Sequence, residues 1–234
     1  DMWGKYVAGE SPTFKPLIAH MVDVASVAQA IWSRSLSPVI RYEISQYLKL
    51  SDKDAMLWMA FWAGLHDLGK ATPAFQAKRP EAKKLLHTKG YKFTNSEKTH
   101  GLMSAYLITR AFSQGQPFAI PSDLRTMICF SLGGHHGIFP DDFLLSRVNV
   151  ILDAGMGNWE KVRNALIACL ADLIGVDLDK KPSPDEGING TFFTILSGLT
   201  SVADWIASSE NFFRIDTMDD DLEDDVERDG AGWR

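Results

Sequence analysis

The residues of this chain that could do chemistry are histidines and aspartates in a particular order. Six histidines occur in 234 residues, and His66 is followed directly by Asp67. His20 lies upstream and His100 downstream, His135 and His136 are adjacent, and Asp204-Trp205 closes the set. Imidazole nitrogens and carboxylate oxygens are the ligand types that hold divalent metals, and a carboxylate has two oxygens with which to bridge a pair. The set therefore points to metal-assisted phosphoester hydrolysis, with Asp67 placed between two ions. Taken singly, a histidine in an apolar helix is more often a hydrogen-bonded core residue than a ligand. The combination of HD, HH and a late DW is what carries the reading, and His87, in KKLLHTKG, is read as a surface residue.

The elements that must position these side chains read as almost wholly helical. Leu17, Ile18, Met21, Val22, Ala25, Ala28 and Ile31-Trp32 recur at helical spacing after Pro16, and Ser51 with Asp54 resembles a cap for Ala55 to Leu65. Further helices are predicted at Pro73 to Lys78, Thr99 to Phe112, Ser122 to Leu132, Asp142 to Asp153, Asn158 to Ile174 and Gly190 to Ser208. Loops are expected at Leu36 to Pro38, Thr88 to Glu97, Gln114 to Pro121 and Asp179 to Gly190. No stretch alternates with the period of a sheet. A compact all-α bundle would let several helices each aim one side chain at a common centre: His20 from the first, His66-Asp67 from the end of the second, His100 from a first turn and Asp204 from the last. Gly133-Gly134 and Gly137 free the backbone around His135 and His136, so that both rings can approach one ion.

Charge is divided along the chain. Residues 216 to 234 carry nine acidic and two basic residues, against 21 and 22 in residues 1 to 215. Residues 1–215 are expected to form one domain and 216–234 an acidic linker or disordered end. Lys70 to Lys98 holds eight basic residues against Glu81 and Glu97. Beside a metal site this excess suits a polyanion, and the interleaved Phe75, Tyr91 and Phe93 could stack bases; an ordinary solvated helix and loop is the plainer alternative. Apolar runs such as Met56 to Leu65 are too short to span a bilayer and Asp1 to Lys15 lacks a signal-peptide core, so no membrane partner and a cytoplasmic location are expected. Cys129 and Cys169 sit in apolar helical patterns and read as buried free thiols. Trp3, Trp32, Trp58, Trp62 and Trp159 are expected mostly in the core. GLHDLGKA at Gly64 to Ala71 approaches a phosphate-binding loop, but alanine replaces the magnesium-binding hydroxyl and no strand precedes it, so no ATP hydrolysis is expected of it.

His20, HDLGK (His66 to Lys70), His100, GGHHG and SVADW (Ser201 to Trp205), in this order, resemble the HD phosphohydrolase superfamily. With WGK (Trp3 to Lys5), HMVDVASVA and Phe75-Gln76, the resemblance narrows to the HD nuclease domain of the CRISPR-associated nuclease-helicase of type I systems, over nearly all of the chain to about Phe213. The resemblance implies a compact helical HD-domain bundle with a dinuclear centre. One metal would be held by His20, His66, Asp67 and Asp204, the second by Asp67, His100, His135 and His136. It also implies two-metal cleavage of single-stranded DNA in antiviral defence, with a helicase, fused or in trans, and a CRISPR RNA-guided surveillance complex as partners. The acidic segment would then lead toward a helicase part. The nitrogen-rich, thiolate-free set fits Fe(II), Mn(II), Co(II) or Ni(II). Lys70 is expected either to meet substrate phosphate or a site water, or to pair as a helix-end lysine with a carbonyl. Ser201, three residues before Asp204 on one helical face, is expected to supply a supporting hydrogen bond. Two alternatives stand beside the nuclease: an HD phosphohydrolase acting on a nucleotide or cyclic nucleotide, and a metal-binding module that recruits a partner without turnover.

Overall fold

The computed structural model describes residues 2–7 and 13–213, and the acidic 216–234 segment lies outside them. The described residues are all-α apart from one short hairpin, β1 (Trp3–Val7) and β2 (Thr13–Pro16). Helices α1 (Leu17–Arg34), α2 (Pro38–Leu48) and α3 (Asp52–Gly64) follow. A 3-10 helix, Leu65–Lys70, continues α3. Then come α4 (Pro73–Gln76), α5 (Pro80–Thr88), α6 (His100–Ala111), α7 (Ser122–Gly133) and α8 (Asp142–Ser146), a π-helical turn at Val150–Ala154, α9 (Asn158–Ile174) and α10 (Gly190–Ala207). Among the described residues no helix is long and apolar enough to cross a membrane.

The core forms where α1 crosses α3. Leu17, Met21, Val24, Ala25, Ala28 and Trp32 present one stripe of α1, and Trp58, Phe61 and Trp62 of α3 close against it and against α7, α9 and α10. All five expected core tryptophans are buried. Buried indoles also tie down loops, since Trp58 Nε1 donates to the Lys180 carbonyl at 2.9 Å and Trp159 Nε1 to that of Lys92 at 2.7 Å. Side-chain caps start the helices that carry the site or brace it: Ser51 accepts from the Asp54 amide, Thr99 from that of Leu102 and Asn189 from that of Phe192.

Several elements differ from expectation. Helix α2 was not among the expected helices and begins at Pro38, placed in a loop, although Ser37, which caps the Ile40 amide, and Pro38 at the first helical position were usable signals. Helix α5 buries only Leu86, so it lacks the apolar stripe that marks a helix in sequence. The helix expected from Asp142 to Asp153 breaks at Arg147 to Asn149. There the Asn149 side chain accepts from the Ile151 and Leu152 amides, and Asp153 accepts from the Asn149 amide, drawing the backbone away from the helical ladder. Cys129 is buried as expected but Cys169 is exposed, on the outer face of α9.

The hairpin is the element that sequence pattern did not announce. Two strands alone are marginal in water, and this pair is held by the rest of the molecule. The Gln76 amide, fully buried, accepts from the Trp3 amide at 3.2 Å and donates to the Trp3 carbonyl at 3.0 Å and to that of Lys70 at 2.9 Å. The register is irregular between Trp3 and Lys5. It sets Lys5 opposite Lys15, a like-charge pair whose cost is offset on one side by an ion pair of Lys15 with Asp23.

Candidate metal centre

Three helices, one 3-10 helix and the turn after α7 deliver the seven histidine and aspartate side chains to one place. His20 projects from α1, and His66 and Asp67 lie in the 3-10 helix rather than in α3 itself. Side chains three apart eclipse in a 3-10 helix, and this sets Lys70 over Asp67, with Nζ 2.6 Å from Oδ2. Gly69 permits α6 to approach: a Cβ there would fall 2.0 Å from the His100 carbonyl oxygen, and its amide donates to Ser104 Oγ at 2.8 Å. Gly101 does the same between α6 and α7, since its Cβ would meet the Gly133 carbonyl oxygen at 2.6 Å. These two contacts bring His100 beside the turn after α7 that carries His135 and His136. Asp204 reaches in from α10.

Asp67 divides its oxygens between two groups of nitrogens. Oδ2 lies 3.2 Å from His20 Nε2 and 3.4 Å from His66 Nε2, while Oδ1 lies 3.5 Å from His100 Nε2 and 3.8 Å from His135 Nε2. Asp204 Oδ1 completes the first group, 3.3 Å from His20 Nε2 and 3.5 Å from His66 Nε2. His136 completes the second, its Nε2 being 2.9 Å from that of His100. Within His20, His66 and Asp204, and separately within His100, His135 and His136, the ligand atoms lie within 4.8 Å of one another.

The donor set fits metal ions. His66 and His135 point Nδ1 at the carbonyls of Ala63 and Leu132, at 2.9 and 2.6 Å, which turns each Nε2 toward the cluster. Those two Nε2 atoms and both ring nitrogens of His20 are buried without a hydrogen-bond partner, the carboxylates approaching His20 out of line. An orphaned buried polar atom costs about 1–3 kcal/mol, and four in one small volume mark a place where a cation completes the bonding. The protein thus holds a His/Asp cluster suited to metal binding.

The two groups differ electrically. Burial lowers the basicity of His66, but Asp67 and Asp204 outweigh it and push its pKa up to about 9. Burial dominates at His100 and His135, pushed down to about 4 and about 3. Burial raises both carboxyls, yet His66 and Lys70 bring Asp67, and His20 and His66 bring Asp204, well below the usual carboxylate range. Without metal, the carboxylates favour the charged form of His66 on the His20 side, while burial favours neutral imidazoles at His100 and His135.

Surrounding contacts revise two expectations. Lys70 pairs with Asp67 and donates to the Gly4 carbonyl at 3.1 Å, a carbonyl brought by the hairpin rather than one at the end of its own helix. Ser201 donates to the His135 carbonyl at 3.3 Å rather than to Asp204, which is served by Ser208 Oγ at 2.8 Å. Ser208 was missed, although its i+4 spacing from Asp204 was a usable signal. Lys5 was also missed as a site residue: half-buried, its amine is pushed below its ordinary pKa by burial, while Asp204 and Asp67 pull it back up. Nothing local in WGK signals this, because the hairpin brings it there. Of the aromatics expected to stack bases, Tyr91 and Phe93 pack edge-on against Trp159, and Phe75 stacks on Trp3. His87 is exposed, as expected.

Residues 3–213 match the family model described as Cas3, HD domain. The chain belongs to this family. It is 31% identical over 203 residues to the CRISPR-associated endonuclease/helicase Cas3 of Thermus thermophilus, covering 86% of this chain and 21% of that relative, so the chain spans about a fifth of its length. Among solved structures, the Thermus thermophilus Cas3 HD domain in the presence of Ni2+ superimposes with a TM-score of 0.63 at 26% identity, covering 91% of this chain and 80% of that one. A chain of a CRISPR RNA-guided surveillance complex, pre-nicking, superimposes with a TM-score of 0.70 at 28% identity, over 90% of this chain and 24% of that one. The family matched is the one that the motifs from WGK to SVADW resemble, and the helical HD fold is the one expected.

Proposed function

We propose that this domain is a metal-dependent nuclease that hydrolyses phosphodiester bonds of single-stranded DNA in CRISPR antiviral defence. The observation that carries the reading is the convergence of seven ligand side chains with four orphaned nitrogens, closed at one end and open at the other. His20 and His66 are fully buried, whereas His100 keeps 20% of its side chain accessible and His136 is exposed. A long strand can reach such an end. The open geometry argues against the closed pocket that a nucleotide or cyclic-nucleotide hydrolase would need.

The residues divide the work. His20, His66, Asp67 and Asp204 would hold one ion, and Asp67, His100, His135 and His136 the second, with Asp67 shared. Bound there, two divalent transition ions (Fe(II), Mn(II), Co(II) or Ni(II)) would supply an activated water and neutralise charge on the phosphate. The relative solved in the presence of Ni2+ supports such ions. Lys70 anchors Asp67 Oδ2 and tethers it to the hairpin through Gly4, which fixes the carboxylate's orientation. Lys70 and Lys5 keep positive charge beside the two carboxylates, where the non-bridging oxygens of a phosphodiester would come to rest. The basic excess from Lys70 to Lys98 suits the backbone of a polyanion. By likeness to relatives named endonuclease/helicase and to a chain of a surveillance complex, the domain would act in the cytoplasm with a helicase, fused or in trans, and such a complex.

The test is metal-chelated protein incubated with circular single-stranded DNA, with Mn(II), Fe(II), Co(II), Ni(II), Mg(II) or Zn(II) restored one at a time, beside Asp67→Ala. Cleavage that depends on a transition metal and vanishes in the variant is expected. Absence of cleavage under every metal, with metal bound, would sink the reading.

A further inference from the structure

The hairpin and α5 enclose a second concavity away from the ligands. Trp3 and Tyr6 of β1, Phe14 of β2, and Arg79, Ala82 and Leu85 line a cavity of about 340 Å³, with Glu81 at its edge. Phe14 and Leu85 form an accessible rim, 48% and 49% exposed, and Trp3, 8% exposed, forms the floor. The Arg79 guanidinium lies over the Tyr6 ring and 5.6 Å from that of Trp3. This volume is at the small end of the roughly 300–1,000 Å³ range of ligand clefts, and its walls are rings and a guanidinium, surfaces on which a flat aromatic ligand stacks.

Two ring contacts link the cavity floor to the metal centre. Trp3 stacks on Phe75 with centroids 4.5 Å apart, and the Phe75 ring meets that of His100, at the open end, at 5.7 Å. Cations flank this path: Lys78 Nζ lies 4.8 Å and Lys70 Nζ 5.6 Å from the Phe75 centroid. Positive charges along a row of aromatic rings that ends in a ring-lined cavity are what a single strand requires, the cations meeting its phosphates and the cavity one base.

We infer that this cavity is a nucleobase subsite: it takes one base of the single strand, a short and fixed number of nucleotides from the bond being cut. The inference rests on the nuclease reading above. The cavity then contributes to substrate affinity and sets the register of the cut, and it favours bases by stacking rather than by edge recognition, so discrimination among the four bases is weak.

An abasic scan on metal-loaded protein tests it. A fluorescent oligonucleotide with one preferred cut is remade with a single abasic nucleotide at each successive position, and kcat/KM is measured for the wild type, Phe14→Ala/Leu85→Ala and the cavity-filling Ala82→Trp. For the wild type, an abasic nucleotide at one position should lower kcat/KM about ten-fold, mainly through KM, as loss of one stacked base predicts. In either variant the fully based strand should be cut about ten-fold less efficiently, and the penalty at that position should shrink to two-fold or less. Melting curves matching the wild type's exclude misfolding, and the wild-type scan stands even where a variant fails to fold. A flat scan in a wild type that does cut DNA, or the same penalty in both variants, overturns the subsite and leaves the nuclease reading intact. A wild type that cuts no oligonucleotide under any metal overturns both.

Discussion

The two ends of the metal centre share one carboxylate but are built differently. At the buried end His20 and His66 have no accessible surface and sit between two aspartates; at the open end His100 and His135 face the other oxygen of Asp67, and His136 faces solvent. The buried end is organised by carboxylates that force a proton onto His66, and a metal arriving there must displace that proton. At the open end His100 and His135 are already deprotonated and need no such exchange. On the proposed function, retention of metal and access of substrate would fall to different residues. The difference can be tested by attacking each end separately.

The largest effect is expected where the ends meet. Asp67→Ala removes the shared carboxylate and strands the Lys70 ammonium, so phosphodiester hydrolysis should fall by about 10³-fold or more, in line with the loss of several kcal/mol of charge stabilisation. Elemental analysis should show both ions depleted. Next, His66→Ala and His136→Ala should part company. The first should empty the buried half and abolish activity, whereas the second should retain close to one ion per chain and lose roughly 10–100-fold in rate or affinity. Equal metal loss in the two variants would erase the distinction between the ends.

Metal binding should also stabilise the fold. At a free concentration of 100 Kd it adds about 2.7 kcal/mol, or roughly 5–11 °C in Tm for a domain of this size, reversed by chelator. A scanning-fluorimetry shift surviving in His136→Ala but not in His66→Ala would locate that gain at the buried end.

The pH dependence of the metal-free fold follows from the same asymmetry. His100 and His135 are depressed to about 4 and about 3, so the unfolded chain binds more protons below about 6.5, and their contribution is lost as pH falls from 6.5 toward those values. The depressed Asp67 and Asp204 extend this acid limb. His66, raised to about 9, contributes fully below about 6.5 and loses its contribution as pH rises from there through 9. Denaturant titrations of metal-free protein should therefore find greatest stability near pH 6.5, and calorimetry in buffers of different ionisation enthalpy should find proton release on metal binding near pH 7. A stability that keeps rising to pH 9 would contradict the protonation of His66.

The smallest effects should come from the two serines. Ser208→Ala releases Asp204 at the buried end and Ser201→Ala releases the His135 carbonyl at the other. Each should cost about ten-fold or somewhat more, the first in metal affinity and the second in turnover.

Much of the site was legible because its signals are local. The HDLGK run, the HHG turn and the apolar spacing around His20 and Asp204 state which side chains are ligand types and which helices carry them, and Ser51 and Thr99 mark helix starts within three residues of their partners. Ser208, four residues after Asp204, was equally within reach. Helix α5 and the hairpin were less so, since one lacks an apolar stripe and the other is stabilised by Gln76, more than 70 residues away.

By itself the sequence determined an all-α bundle and the chemical identity of seven candidate ligands, because helical period and residue type are written in neighbouring positions. Only the tertiary structure decided which end of the centre opens to solvent, that Lys5 attends it and Lys70 is tethered to the hairpin, and that a ring-lined cavity lies two aromatic contacts from His100. The open end in particular depends on close approaches between distant segments, at Gly69 against α6 and at Gly101 against α7. The residues permitting those approaches are glycines, which carry no side chain to name the partner they admit.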